Sequence, residues 1–76
     1  DLLRKVVKTT FNQRRKMMRG SIRPLLNELD QRLGGPAPDH AEFLAQPMLT
    51  RRPEQLSVEE FIDLTNRVAA HYGWND

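Results

Sequence analysis

Residues 56–73, LSVEEFIDLTNRVAAHYG, spell out a helix with both of its ends marked. Ser57 and Glu60 have the S-x-x-E spacing of a capping box. In that motif the hydroxyl takes a backbone N–H of the first turn and the carboxylate reaches back to the N–H of the serine. Leu56 and Phe61 flank it at the positions of a hydrophobic staple. Val58, Phe61, Ile62, Thr65, Val68, Ala69 and Tyr72 then follow a period of about 3.6 residues. Gly73 can end the run. The spacing predicts a helix over 58–72, and a helix with one apolar side must be covered by something else in the chain.

The cover has to come from the residues before it. In LGGPAP (33–38), Gly34 suits a C-terminal cap, so a connector begins there and runs over 34–56. Within it Asp39 can cap a short helix over 40–46, with Phe43 and Leu44 underneath. Upstream, Met18, Ile22, Leu25, Leu26 and Leu29 form the apolar stripe of a helix over 13–33. Asn12 is its N-cap, with Gln13, Arg14 and Arg15 in its first turn. Pro24 cannot donate to the carbonyl of Gly20 and predicts a kink or break. A first helix over 2–11 has Leu2, Leu3, Val6, Val7, Thr10 and Phe11 at helical spacing. No stretch alternates with strand period. The fold expected is all-α, a small three- to four-helix domain.

At 76 residues the chain makes one small domain, burying about 60% of its unfolded surface. A hydrophobic share of 38% and a charged share of 29% are those of a globular chain rather than a disordered one. Without cysteine there is no disulfide, thiolate metal site or cysteine nucleophile. No apolar run approaches the roughly 18 residues of a membrane span. No strand–glycine loop–helix motif, Walker motif or nucleophile elbow occurs. Glu59 and Glu60 suit a capped helix start better than acid–base chemistry. His40 reads as a surface residue and His71 as a solitary one, so no metal site is expected. Met17, Met18 and Met48 read as core fillers. The chain starts with Asp1 inside a helical pattern rather than with Met, and is expected to be a piece of something larger.

Charge is distributed unevenly. FNQRRKMMRGSIR (11–23) holds five arginine or lysine residues and no acid. From Leu2 to Asn27 there are eight basic residues and no acidic ones, and from Glu28 to Asp76 four basic against nine acidic. Cations in a first turn oppose the helix dipole, and Arg15, Arg19 and Arg23, four apart, repel one another on one face. A helix made only for stability gains nothing from this arrangement, which points to a polyanion. Arginine's planar fork suits phosphate oxygens. A solvated helix surface, a helix-turn-helix-like DNA-binding module and a membrane-surface helix are the other readings. Phe11, Phe43 and Phe61 read as core, so base stacking is not expected from them.

Two blocks carry a family resemblance. FNQRRK (11–16) followed by MRGSI (18–22) resembles the F-x-Q-R-R-K-x-x-R-x-S-L signature of the small-subunit rRNA adenine N6,N6-dimethyltransferases, the KsgA/RsmA family. RRPEQLSVEEFIDLTN (51–66) resembles that family's R-x-E-x-L-S-x-x-x-F-x-x-L-x-N ending. The resemblance implies the C-terminal helical domain of such an enzyme, lacking the Rossmann-like domain that binds S-adenosylmethionine and the target adenine. The parent enzyme would dimethylate N6 of two adjacent adenosines in the 3′-terminal hairpin of small-subunit rRNA, in the cytoplasm. This piece would position it on rRNA and the pre-ribosomal particle, as a monomer, without being catalytic and with no cofactor of its own. An interdomain scaffold that docks on the catalytic domain is the alternative. By motif match Gln13, Arg14, Arg15, Lys16, Arg19 and Arg52 are the expected RNA- or interdomain-facing residues, joined by Arg23 from the ladder in the RNA-binding set. Phe11, Leu56, Phe61 and Leu64 carry over as core, Glu54 and Ser57 as structural. The 34–47 connector is longer than the family's usual link, and Pro24 sits where a continuous helix is expected.

Overall fold

The computed structural model describes residues 2–73. In chain order these form α1 (Leu2–Phe11), α2 (Met18–Ser21), α3 (Arg23–Leu33), α4 (Ala41–Leu44), two 3-10 turns (Pro47–Thr50 and Pro53–Gln55) and α5 (Val58–His71). No strand occurs among the described residues, and no helix among them is long and apolar enough to cross a membrane.

The start of α5 is built as its sequence requires. The Glu60 N–H donates to Ser57 Oγ at 3.2 Å, and the Ser57 N–H donates to Glu60 Oε1 at 3.0 Å. Gly34 after α3 and Gly73 after α5 take left-handed conformations, with φ of 69° and 71°. Without a Cβ, glycine adopts that region at no steric cost. α1 lies against α5, α2, α3 and the second 3-10 turn, and α2 lies against the first 3-10 turn. The core between them is made of Val6 from α1, Met18 and Ile22, the Leu25, Leu26 and Leu29 face of α3, Phe43, Leu49, and Phe61, Leu64, Val68 and Tyr72 from the last helix and its cap. Thr10, also fully buried, satisfies its hydroxyl by donating to the Val6 carbonyl at 2.8 Å.

The predicted helix over 13–33 is not continuous. Residues 12–16 form successive turns, in which Gln13 N–H donates to the Thr10 carbonyl at 3.1 Å and Lys16 N–H to the Gln13 carbonyl at 2.9 Å. Asn12 caps no helix. Met17 is extended, α2 follows, and Ile22 joins it to α3. Two physical causes account for this. Three adjacent cations in a first helical turn would face the positive end of the dipole. The Met18 N–H, an orphan donor at a helix start, finds a partner from another part of the chain, the Arg51 carbonyl at 2.7 Å. The interruption expected at Pro24 is present. The chain breaks before the proline, so that it sits in the first turn of α3, where its missing N–H costs no hydrogen bond.

The buried stripe of α5 is rotated from the predicted one. Phe61, Leu64, Val68 and Tyr72 face the core, while Val58 is 71% and Ile62 45% exposed. Phe11, read as core, is 41% exposed at the end of α1. Met18 fills the core as expected, but Met17 lies outside it.

In the connector, Asp39 Oδ1 accepts the Ala41 N–H at 3.0 Å and Phe43 is buried, although α4 is shorter than the predicted 40–46. His40 and His71 are not separate residues on the surface. His40 Nδ1 lies 2.8 Å from His71 Nε2, and His40 Nε2 lies 3.0 Å from Asp30 Oδ2. The Tyr72 hydroxyl donates to Asp30 Oδ1 at 2.6 Å, and the His71 ring stacks on Phe43 with centroids 4.8 Å apart. An ionised Asp30 can only accept, so the His40 Nε2–H donates to it. This network ties the ends of α3 and α5 to the start of α4. Among the described residues no group of three or more ligating side chains is placed to hold a metal ion.

Candidate nucleic-acid interface

The basic block leaves α1 as the helix ends. Asn12 N–H makes the last helical bond, to the Lys8 carbonyl at 3.1 Å, and the chain then turns through residues 13–16 before Met17 feeds α2. Gln13 is half-buried, and Arg14, Arg15 and Lys16 are exposed. The stem of Lys16 runs past Gly20: a Cβ at Gly20 would lie 3.8 Å from Lys16 Cβ and Cδ, ordinary van der Waals contact. Phe11, Asn12, Gln13, Arg14, Arg15 and Lys16 together line an open concavity of about 360 Å³.

Among the described residues the ion pairs are Lys5–Glu28, His40–Asp30, Arg51–Glu60 and Arg67–Asp63. None of them uses Arg14, Arg15, Lys16, Arg19, Arg23 or Arg52. These guanidinium and ammonium groups carry donors and no acceptor, and they face water without a carboxylate to satisfy them. Such an arrangement is chemically suited to anions.

The structure brings the predicted residues together only in part. Gln13, Arg14, Arg15 and Lys16 share the loop. Arg19 is exposed on α2 and Arg23 exposed at the first position of α3. Because Arg15 lies outside any helix, Arg15, Arg19 and Arg23 are not a ladder on one helical face. Arg52 is exposed just before the second 3-10 turn, with its N–H donating to Gln55 Oε1 at 2.8 Å.

Arg51 was not among the predicted residues, yet it holds the loop in place. Its carbonyl receives the Met18 N–H, and its guanidinium grips the Glu60 carboxylate, with Nη1 3.4 Å from Oε1 and Nη2 bonded to Oε2. The Arg51 hydrogen bond, followed by that from the Ser57 N–H, lowers the Glu60 pKa to about 2. A nine-residue separation between Arg51 and Glu60 matches no helical or strand period, so nothing local announces the pair. The Met18–Arg51 backbone bond, together with the Phe11–Phe61 ring contact, joins the blocks at 11–23 and 51–66.

Nothing among the described residues fits an S-adenosylmethionine site. Among the described residues there is no strand, and hence no glycine-rich turn leading from a strand into a helix, and the loop concavity is lined by Arg14, Arg15 and Lys16.

No family model matches this chain, and neither does any solved structure. Curated proteins named ribosomal RNA small subunit methyltransferase A do match. The one from Bacteroides thetaiotaomicron is 52% identical over 67 residues, which are 88% of this chain and 21% of that protein. The one from Phocaeicola vulgatus is 46% identical over 69 residues, 91% of this chain and 21% of the relative. The more distant one from Ehrlichia ruminantium is 41% identical over 66 residues, 87% of this chain and 22% of the relative. The chain therefore spans about one fifth of the length of these relatives, in their C-terminal part. With this level of identity along most of an all-α chain, it belongs to the ribosomal RNA small subunit methyltransferase A family.

Proposed function

We propose that this chain is the RNA-positioning C-terminal domain of an S-adenosylmethionine-dependent rRNA methyltransferase. The parent enzyme dimethylates N6 of two adjacent adenosines in the 3′-terminal hairpin of small-subunit rRNA, in the cytoplasm, on a pre-ribosomal particle. Cofactor and target adenine are held by residues outside this chain, and the chain itself, a monomer, seats the enzyme on rRNA through Arg14, Arg15, Lys16 and Arg19, assisted by Gln13, Arg23 and Arg52. One observation carries this reading: three consecutive cations, Arg14, Arg15 and Lys16, project from a single loop, and none of them is in an ion pair among the described residues. Phosphate contacts from such a loop position a protein without reading bases.

The test is a salt titration of binding to the 3′-terminal small-subunit rRNA hairpin, with an unrelated hairpin alongside. Each phosphate contact removed should reduce the log–log salt slope by about 0.7 to 0.9. Replacing Arg14, Arg15, Lys16 and Arg19 together with Ala is expected to flatten the slope by several such steps. An unchanged affinity and slope, or no binding of the wild-type chain even at low salt, overturns the reading.

A further inference from the structure

We propose that Phe11 is a stacking platform for one unpaired nucleobase, so that the basic loop takes RNA with a bulged or single-stranded nucleotide in preference to continuous duplex. This inference rests on the proposed RNA-binding role of the loop and adds a substrate class to it.

Phe11 occupies a junction. On one side it lines the basic concavity with Arg14, Arg15 and Lys16. On the other it borders an apolar hollow of about 290 Å³, shared with Leu3, Val7, Leu56, Val58 and Phe61. The ring leans on Phe61 with centroids 5.8 Å apart and planes tilted by 31°, and it stays 41% exposed. Its backbone is fixed from both sides. Thr10, its neighbour, is fully buried and bonded to the Val6 carbonyl, and Asn12 closes the last helical bond. The exposed ring is therefore held in place before any ligand arrives.

Ligand chemistry follows from that junction. A free phosphate would use the cations and leave the ring and hollow uncovered. An apolar peptide or acyl chain would use the hollow and leave three cations without a partner. A paired A-form helix presents phosphates but hides its base faces within the stack. A nucleotide turned out of a helix presents a flat apolar face and a phosphate on one short backbone unit. That combination matches an aromatic ring set beside uncompensated cations.

Two RNA hairpins of equal length and charge provide the test, one fully paired and one with a single bulged 2-aminopurine, each titrated with the 76-residue chain over a salt series. The wild-type chain should prefer the bulged RNA and quench the 2-aminopurine fluorescence. Phe11→Leu keeps apolar contact with Phe61 but removes the flat face. It should lose that preference by about tenfold, in line with loss of one base–aromatic stack, and leave the salt slope unchanged. Phe11→Tyr should restore both preference and quenching. Equal wild-type affinity for the two RNAs, absence of quenching, or a preference that survives in a folded Phe11→Leu variant overturns the inference. If Phe11→Leu does not fold, Phe11→Tyr decides, because a folded Tyr variant without the preference also overturns it. The two readings fail separately: a salt slope that falls in the Arg14, Arg15 and Lys16→Ala variant, with no effect at Phe11, leaves the RNA-positioning role standing, whereas no binding of either RNA at low salt removes both.

Discussion

Asp30 receives hydrogen bonds from His40 and Tyr72 where α3 and α5 end and α4 begins. Burial works against its charge, but the bonds from His40 and Tyr72, with the charges of His40 and His71 behind them, outweigh burial and hold the carboxyl below its ordinary value of 3.8. For His71, burial and then the neighbouring His40 lower the pKa below 6.5, against the opposing pull of Asp30 and Asp39. Burial, followed by the bond to Asp30, pushes the Tyr72 hydroxyl up, so it remains a donor throughout the physiological range. The signs fix the pH response. As pH falls through 6.5 the unfolded chain takes up a proton at His71 before the folded one does, and stability drops. The contribution of Asp30 is complete above 3.8 and is lost as pH falls through its lowered value. Urea midpoints measured from pH 8 to pH 3 should decline in these two stages, and His71→Gln should shrink the first. A second residue-scale expectation concerns the cap of α5. Ser57→Ala removes the acceptor for the Glu60 N–H and should cost about 1 kcal/mol in urea denaturation.

Among the elements, the break between α2 and α3 makes a prediction that separates it from a kinked helix. Proline inside a helix costs about 3 kcal/mol, so removing one there would stabilise strongly. In the first turn of α3 the ring is compatible with the backbone, and Pro24→Ala should change stability by less than about 1 kcal/mol. A large gain in the urea midpoint would show that the ring strains this helix. Which elements were legible in the sequence follows from where their determinants lie. α5 was readable at both ends because Ser57, Glu60 and Gly73 act within a turn of the helix they bound. The turns at 12–16 were not, since the partner of the Met18 N–H is Arg51, far along the chain. Periodicity places apolar residues on a helix but does not fix which edge of a broad stripe meets the core. Val58 and Ile62 were therefore assigned inward and lie outward, and Phe11 at a helix end went the same way. The cations of the candidate site were visible as an acid-free basic run, although their four-residue spacing is not a helical ladder. Its concave shape and exposed ring were not, because the first comes from the turns over 12–16 and the second from where Phe11 comes to rest beside Phe61. His40 and His71 are 31 residues apart, and only the fold brings them together.

For the molecule as a whole, the core is a shared possession: Val6, Met18, Ile22 and the leucines of α3 come from one half of the chain, and Leu49, Phe61, Leu64 and Val68 from the other. A domain of this size has only about 5–15 kcal/mol of stability or less to lose. Leu64→Ala, at a fully buried position, should remove about 2–5 kcal/mol of it and leave a large unfolded fraction, visible as lost helical ellipticity at 25 °C. By contrast residues 33–37 are exposed and contribute nothing to that core. A peptide bond cut between Gly35 and Pro36 would thus separate two halves that still need one another. Each alone lacks half of its apolar cover, and mixing them should restore helicity that neither shows by itself. The Met18–Arg51 bond then works as a clasp between two pieces, just beyond the basic loop. Residues inserted at 35–36 would lengthen the strap without moving the clasp, which leaves that stretch free to vary in length while the basic loop keeps its form.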